Sequence, residues 1–147
     1  AASVSGFESV TPDAIAGDGV LAGVPQDLAA VEVPALTVPE RNAYDFRLVV
    51  SRLMYDQAIT TVNSPTLAAL APEGAVHLHP LDLERVGTVD GREVRVSSTR
   101  TSVVFTAVAD ASVLRGTAWV AFNQPGPNVG ELIDCTAAVN DVRIETI

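Results

Sequence analysis

The sequence contains no lysine: its nine basic residues are all arginine and stand against eighteen Asp and Glu, giving a formal net charge of −9. So acidic a chain is a poor partner for nucleic acid or for an anionic membrane surface. Cysteine is nearly absent as well. The lone Cys135 excludes an internal disulfide and any metal or iron–sulfur site that draws two or more thiolates from this chain. It is expected to be a small buried apolar residue, in a reducing compartment. Long hydrophobic runs are missing too. The longest uncharged stretch, Gln57 to Pro72, is interrupted by Thr60, Thr61, Asn63, Ser64 and Pro65, so no membrane-spanning helix is expected.

Catalytic signatures are equally scarce. There is no Gly-x-Ser-x-Gly elbow, no Gly-Lys-Ser/Thr phosphate loop, no His-Glu-x-x-His and no Gly-Ser pair for self-processing. The two histidines, His77 and His79, lie two apart on an expected strand and lack a third ligand. We assign His77 to a sheet face and His79 to the cap of a following helix. Asp82 with Glu84, and Asp90 with Glu93, have the spacing of acid–base partners, but Asp82 suits a first helical turn and Asp90 a tight turn. No catalytic or metal-ligating residue is assigned.

What is present is a 147-residue chain with 48% hydrophobic residues, enough for a buried core. Residues 1–44 read as a linker or the tail of a preceding domain. They are rich in Gly and Pro, with Gly-Asp-Gly at 17–19, Val-Pro pairs at Val24, Val33 and Val38, and at most a short helix over Asp27 to Val31. No basic segment followed by an apolar one opens the sequence, and the chain is expected to be a piece of a larger protein. From Asp45 to Ile147 the pattern is that of a compact β domain. Strands are expected near Phe46–Val50, Ala75–Leu78, Glu93–Ser98, Ser102–Ala109, Thr117–Phe122 and Val142–Thr146. Short helices are expected at Thr66–Leu70, capped by Ser64 before Pro65, and from His79-Pro80 to an αL residue at Gly87. Others are expected at Asp110–Leu114 and, capped by Asn128, at Glu131–Ile133. Turns fall at Asp90-Gly91, Thr99–Thr101 and Arg115-Gly116. This pattern indicates a mainly β fold with short helices closed into a small barrel.

Two places offer binding chemistry. Arg52, beside Ser51 at the carboxyl end of the first strand, stands where an anion-binding group is often placed; the alternative is a pairing with Asp45 or Asp56. In the Pro- and Gly-containing loop 123–130, Asn123, Gln124 and Asn128 offer donors and acceptors without charge.

The ordered series Val76-His-Leu-His-Pro-Leu-Asp82, Arg85-Val-Gly87, Val89-Asp-Gly91, Val94-Arg-Val-Ser-Ser98, Leu114-Arg-Gly-Thr117 and Val120-Ala-Phe-Asn123 up to Asn128 resembles the C-terminal molybdopterin-dinucleotide-binding domain of formate dehydrogenases, nitrate reductases and the large iron–sulfur subunit of respiratory NADH:quinone oxidoreductase. The resemblance runs from Arg47 to the end. It implies a double-psi β-barrel, of the aspartate decarboxylase-like kind, and cofactor contacts at Ser51, Arg52, Asn123 and Asn128.

The chain departs from that pattern where relatives have Thr-Gly-Arg, here Ser51-Arg52 without the Gly, and where they have an Arg pair before Ser-Pro, here Val62-Asn63. A lost Gly adds a Cβ where backbone should approach the ligand, and two lost Arg remove charge complementary to a pyrophosphate. The resemblance therefore implies a degenerate pterin site and no cofactor in this domain. That matches the respiratory NADH dehydrogenase subunit, with iron–sulfur clusters only in upstream sequence. The implied partners are the upstream domains and the other subunits of the complex, in the cytoplasm at the inner membrane. The alternative is a domain that binds molybdopterin guanine dinucleotide in a molybdenum or tungsten oxidoreductase like formate dehydrogenase.

Overall fold

The computed structural model describes residues 10–15, 35 and 37–147. It divides into two compact units, Ala1–Ala35 and Leu36–Ile147. In the first, residues 10–15 hold a turn in which the Thr11 carbonyl accepts from Ala14 and Ile15 N–H, and Thr11 Oγ1 also accepts from Ala14. The helix considered over 27–31 and the turns at 17–19, 24 and 33 lie outside the described residues.

In the second unit six strands alternate with short helical turns: β1 (Phe46–Arg52), α1 (Ile59–Val62), a 3-10 turn (Ala68–Leu70), β2 (Ala75–Leu78), α2 (Pro80–Val86), β3 (Glu93–Ser97), β4 (Ser102–Ala109), β5 (Thr117–Phe122), a 3-10 turn (Val129–Glu131) and β6 (Asp141–Thr146). The strands close into a barrel in the order β1-β5-β2-β4-β3-β6. Two pairs are parallel, β1 with β5 and β2 with β4, and the rest antiparallel. This is the closed, mainly β barrel of double-psi type that the sequence predicts.

Alternation along each strand explains the closure, because every second side chain points inward. Phe46 and Leu48 of β1, Val76 and Leu78 of β2, Val94 and Val96 of β3, Phe105 and Ala107 of β4, Ala118 and Val120 of β5, and Val142 and Ile144 of β6 are all buried. Leu83 from α2 and Val129 and Leu132 from the last loop join the same cluster. β3 has the wet face expected of it, with Glu93 and Arg95 exposed. The seam between β1 and β6 is short, with Phe46 opposite Val142 and Arg47 opposite Asp141. Arg47 Nε donates to Asp141 Oδ1 at 2.6 Å, so the seam carries a part-buried ion pair.

The turn chemistry follows the sequence at most positions. His79 Nδ1 accepts from Leu81 N–H, Pro80 opens α2, and Gly87 ends it at φ 82°. Gly91 (φ 78°) and Gly116 (φ 75°) occupy the left-handed region at the two expected reversals. Asp90 Oδ1 accepts from Ala109 N–H at 2.7 Å and fastens its turn to β4.

Elsewhere the structure corrects the sequence. Only Ala68–Leu70 of the expected Thr66–Leu70 helix forms, as a 3-10 turn without a side-chain cap. Ser64 instead contacts Thr66 Oγ1, and the α-helical turn sits earlier, at Ile59–Val62. Asp110–Leu114 forms a single turn and no helix: Val113 N–H donates to the Asp110 carbonyl at 3.2 Å, and Asp110 Oδ1 accepts from both Ser112 N–H and Oγ–H. Asn128 is a cap, but of Val129–Glu131, two residues before the expected helix at 131–133. Cys135 is exposed, since it lies in a turn outside the barrel wall. Asp82, almost fully buried, accepts from Gly116 N–H at 2.6 Å across the fold and pairs with Arg85, and so does more than serve its own helix start.

Phe105 fills the barrel interior at 1% exposure. Phe105→Ala is therefore expected to lower stability by about 3–5 kcal/mol, measured by urea denaturation.

Candidate functional site

β1 and β5 run in parallel with Arg52 opposite Phe122, so the segment after β1 and the loop from Asn123 leave the barrel side by side. They are laced together. Gln57 N–H donates to the Asn123 carbonyl at 2.8 Å, and Gln124 Nε2 donates at 3.3 Å to the carbonyls of Tyr55 and Phe122. Asn123 takes a positive φ of 60°, which its short polar side chain tolerates and which turns the chain out of β5.

Asp56 is the electrostatic centre of this end. Its side chain is 3% exposed, and Arg52 reaches it with Nε at 2.7 Å and Nη2 at 2.6 Å from Oδ2. The other oxygen, Oδ1, accepts from Ala58 N–H at 2.8 Å. The Ala58 amide holds the Asp56 carboxyl below the usual carboxylate range, the Arg52 guanidinium adds to this, burial opposes it, and the Asn123 side chain contributes least.

The four residues expected to touch a cofactor do not converge as one group. Arg52 and Asn123 come together at Asp56. Ser51 lies on the outer wall, where its Oγ accepts from Trp119 Nε1 at 2.9 Å. Asn128 turns back on its own loop and accepts from Gly130 N–H at 2.9 Å. Asn63, where relatives are expected to carry Arg, donates to the Ile59 carbonyl and closes α1. Two residues gain weight from the structure. Asp56 stands four residues after Arg52, a spacing the sequence offered only as a surface pairing. Gln124 is 5% exposed, and its Oε1 is buried without a partner among the described residues. Gly74 lies so close to the far side of the loop that an added Cβ would stand 2.9 Å from the Pro127 carbonyl oxygen.

On the adjoining wall His77 meets the Trp119 ring edge-on at a centroid distance of 4.7 Å. Its Nδ1 is 3.4 Å from Asp110 Oδ2, a contact without hydrogen-bond alignment. Both histidines thus take the structural places assigned to them. No group of three or more His, Cys, Asp or Glu among the described residues is arranged to hold a metal, and no described helix is long and apolar enough to cross a membrane.

A carboxyl whose pKa is depressed in the folded state stabilises the fold above its unfolded pKa, near 3.8 for Asp, and loses that contribution as pH falls through the folded value. Asp56→Asn is therefore expected to flatten the acid limb of the stability–pH curve below about pH 4. Arg52→Ala is expected to move the acid unfolding midpoint to higher pH. Circular-dichroism melts between pH 2 and 7 measure both.

The family model of the Molydopterin dinucleotide binding domain matches residues 46–144, the whole barrel from the start of β1 into β6. The alpha subunit of NADPH-Fe(3+) oxidoreductase from Geobacter sulfurreducens (strain DL-1 / KN400) is 29% identical over 98 residues, covering 67% of this chain and 12% of that protein. The counterpart in strain ATCC 51573 / DSM 12127 / PCA gives the same values. Acetylene hydratase from Pelobacter acetylenicus, a solved structure, superposes with a TM-score of 0.48 at 18% identity, covering 55% of this chain and 11% of that one. With a single family model spanning the entire barrel, the chain belongs to the molydopterin dinucleotide binding domain family.

Proposed function

We propose that this chain is the barrel domain of a larger oxidoreductase and that it serves there as a scaffold, its pterin site reduced to a set of internal contacts. The observation that carries this reading is the Arg52–Asp56 pair. Arg52 is the guanidinium placed to meet a pyrophosphate, and a buried carboxylate with an ordinary proton affinity lowered by its neighbours holds it instead. The donors present do not fit a dinucleotide. A diphosphate beside Asp56 would face a like charge; of the amides that could offset it, Asn63 and Asn128 are engaged with their own loops and the Asn123 side chain is turned to Asp56.

Among oxidoreductases that carry this domain, the large iron–sulfur subunit of a bacterial NADH:quinone oxidoreductase is the parent we favour. In such a parent the clusters belong to upstream sequence and the partners are the upstream domains and neighbouring subunits. The protein would lie in the cytoplasm, peripheral to the inner membrane. The barrel would then hold distances between electron carriers without holding one itself. The matched relatives are about eight times longer than the segment they share with this chain, which leaves room for such domains.

A second reading has one observation in its favour. Gln124 Oε1 is a buried acceptor without a donor among the described residues, and leaving it so costs on the order of 1–3 kcal/mol. A bound pterin dinucleotide would supply N–H donors, as in a molybdenum or tungsten enzyme like formate dehydrogenase.

The two readings separate on one preparation. The full-length parent protein, produced with molybdate and tungstate in the medium, is denatured, and the released guanine nucleotide, molybdenum and tungsten are quantified against protein. The scaffold reading expects less than about 0.1 equivalent of each. One equivalent of guanine nucleotide with metal would establish the cofactor-binding reading and overturn ours.

A further inference from the structure

The opposite end of the barrel carries a concentration of arginine that the acidic composition does not foreshadow. β1 and β5 run together from Arg47 opposite Thr117 to Arg52 opposite Phe122, so Phe46 and Gly116 mark one end and the Arg52–Asn123 loops the other. Six residue steps of extended chain separate the two ends by about 20 Å.

At the Phe46 end, Arg41, Arg85, Arg115, Asp82 and Gly116 line an open pocket of about 200 Å³. Its single carboxylate, Asp82, is 2% exposed and already engaged, by Gly116 N–H at 2.6 Å and by Arg85 Nε at 3.2 Å. Arg41 directs Nη1 to the Asp45 and Gly116 carbonyls and lies so close over Gly116 that an added Cβ would collide with its guanidinium. Arg115 makes no ion pair with the described residues. Three guanidiniums therefore face one consumed carboxylate, which leaves a local charge of about +2 on a chain of net charge −9.

Arg85 also borders a second, larger recess of about 380 Å³, lined by Tyr44, Phe46, Val86, Arg143, Ile144 and Glu145. The Arg85 guanidinium lies 4.5 Å above the centre of the Phe46 ring. Tyr44 is 75% exposed beside it. The two recesses share Arg85, so a cationic hollow borders a mixed shelf whose exposed ring is Tyr44 and whose rim carries Arg143 and Glu145.

We propose that this end of the barrel is a binding site for a small ligand carrying a phosphate or carboxylate group on a flat apolar body. The oxyanion sits among Arg41, Arg85 and Arg115, where planar guanidinium forks match its geometry. The flat body lies on Tyr44, the exposed ring beside the Arg85 guanidinium. The site is separate from the Arg52–Asn123 end and does not depend on whether a pterin binds there.

The test uses the full-length protein at fixed ionic strength, titrated with inorganic phosphate, phenyl phosphate and benzoate and followed by calorimetry. The expected result is saturable binding of phenyl phosphate in the millimolar range or tighter, stronger than inorganic phosphate. Arg115→Ala, at an exposed position, is expected to weaken it about tenfold. Benzoate tells a carboxylate ligand from a phosphate one by which of the two aromatic anions binds more tightly. No saturable binding of either aromatic anion below about 10 mM, or binding untouched by Arg115→Ala, overturns the proposal. Equal affinity for phosphate and phenyl phosphate, unaltered by Tyr44→Ala, overturns the part assigned to the shelf.

Discussion

Closure of the barrel is the constraint on which the rest of this structure depends. Six short strands have no stable edges of their own, and only by joining β1 to β6 does the sheet satisfy its backbone groups and enclose its apolar faces. The seam holds just two opposed residue pairs, yet one is a contact between buried Phe46 and Val142 and the other the Arg47–Asp141 ion pair. Neighbouring bonds reinforce it. Leu48 N–H donates to the Asn140 carbonyl at 2.9 Å just beyond it, and on the other side of β1 Arg47 N–H donates to the Gly116 carbonyl at 2.9 Å where the pairing with β5 begins. A slip by one residue would turn Phe46 and Leu48 outward and their charged neighbours inward.

Once closed, the barrel has two ends of different character. Parallel pairing of β1 with β5 brings the chain out twice at the same end, so the loops after Arg52 and Phe122 are obliged to pack on each other. Uncharged amides of Gln57 and Gln124 bind facing carbonyls there, and one salt bridge, Arg52–Asp56, is drawn partly under cover. At the other end the segment 37–45 crosses the strand starts. Arg41 is pinned over Gly116, Arg85 donates to the Ala43 carbonyl at 2.8 Å, and Arg47 Nη2 donates to the Pro39 carbonyl at 3.0 Å. Arginine suits this work because one planar side chain can serve several carbonyls and still carry its charge to the surface.

The buried carboxylates show how the two ends divide their roles. Asp56 and Asp82 are both 2% exposed, and each pairs with an arginine three or four residues away while binding a backbone N–H. Removing either partner would leave a charge in a poorly solvated place. At Asp56 the carboxylate takes up Arg52 where the loops after β1 and β5 meet. At Asp82 it fixes Arg85 and leaves Arg41 and Arg115 with no carboxylate partner among the described residues.

The sequence by itself determined the strands, the Gly-based reversals at 87, 91 and 116, the His79-Pro80 helix start and the family. These depend on local periodicity, on φ values that Gly alone adopts readily and on ordered short motifs. Helix limits were less legible. Ser64 carries a cap signal, but its hydroxyl finds Thr66 Oγ1 and caps no helix. Only the tertiary structure decided what the polar residues do. That Arg52 meets Asp56, that Ser51 serves Trp119, that Gln124 is sealed under the loop and that four of nine arginines line one end of the barrel follow from strand order and register. Those contacts join residues far apart in the chain, and a one-dimensional pattern carries no record of which distant groups a closed barrel places side by side.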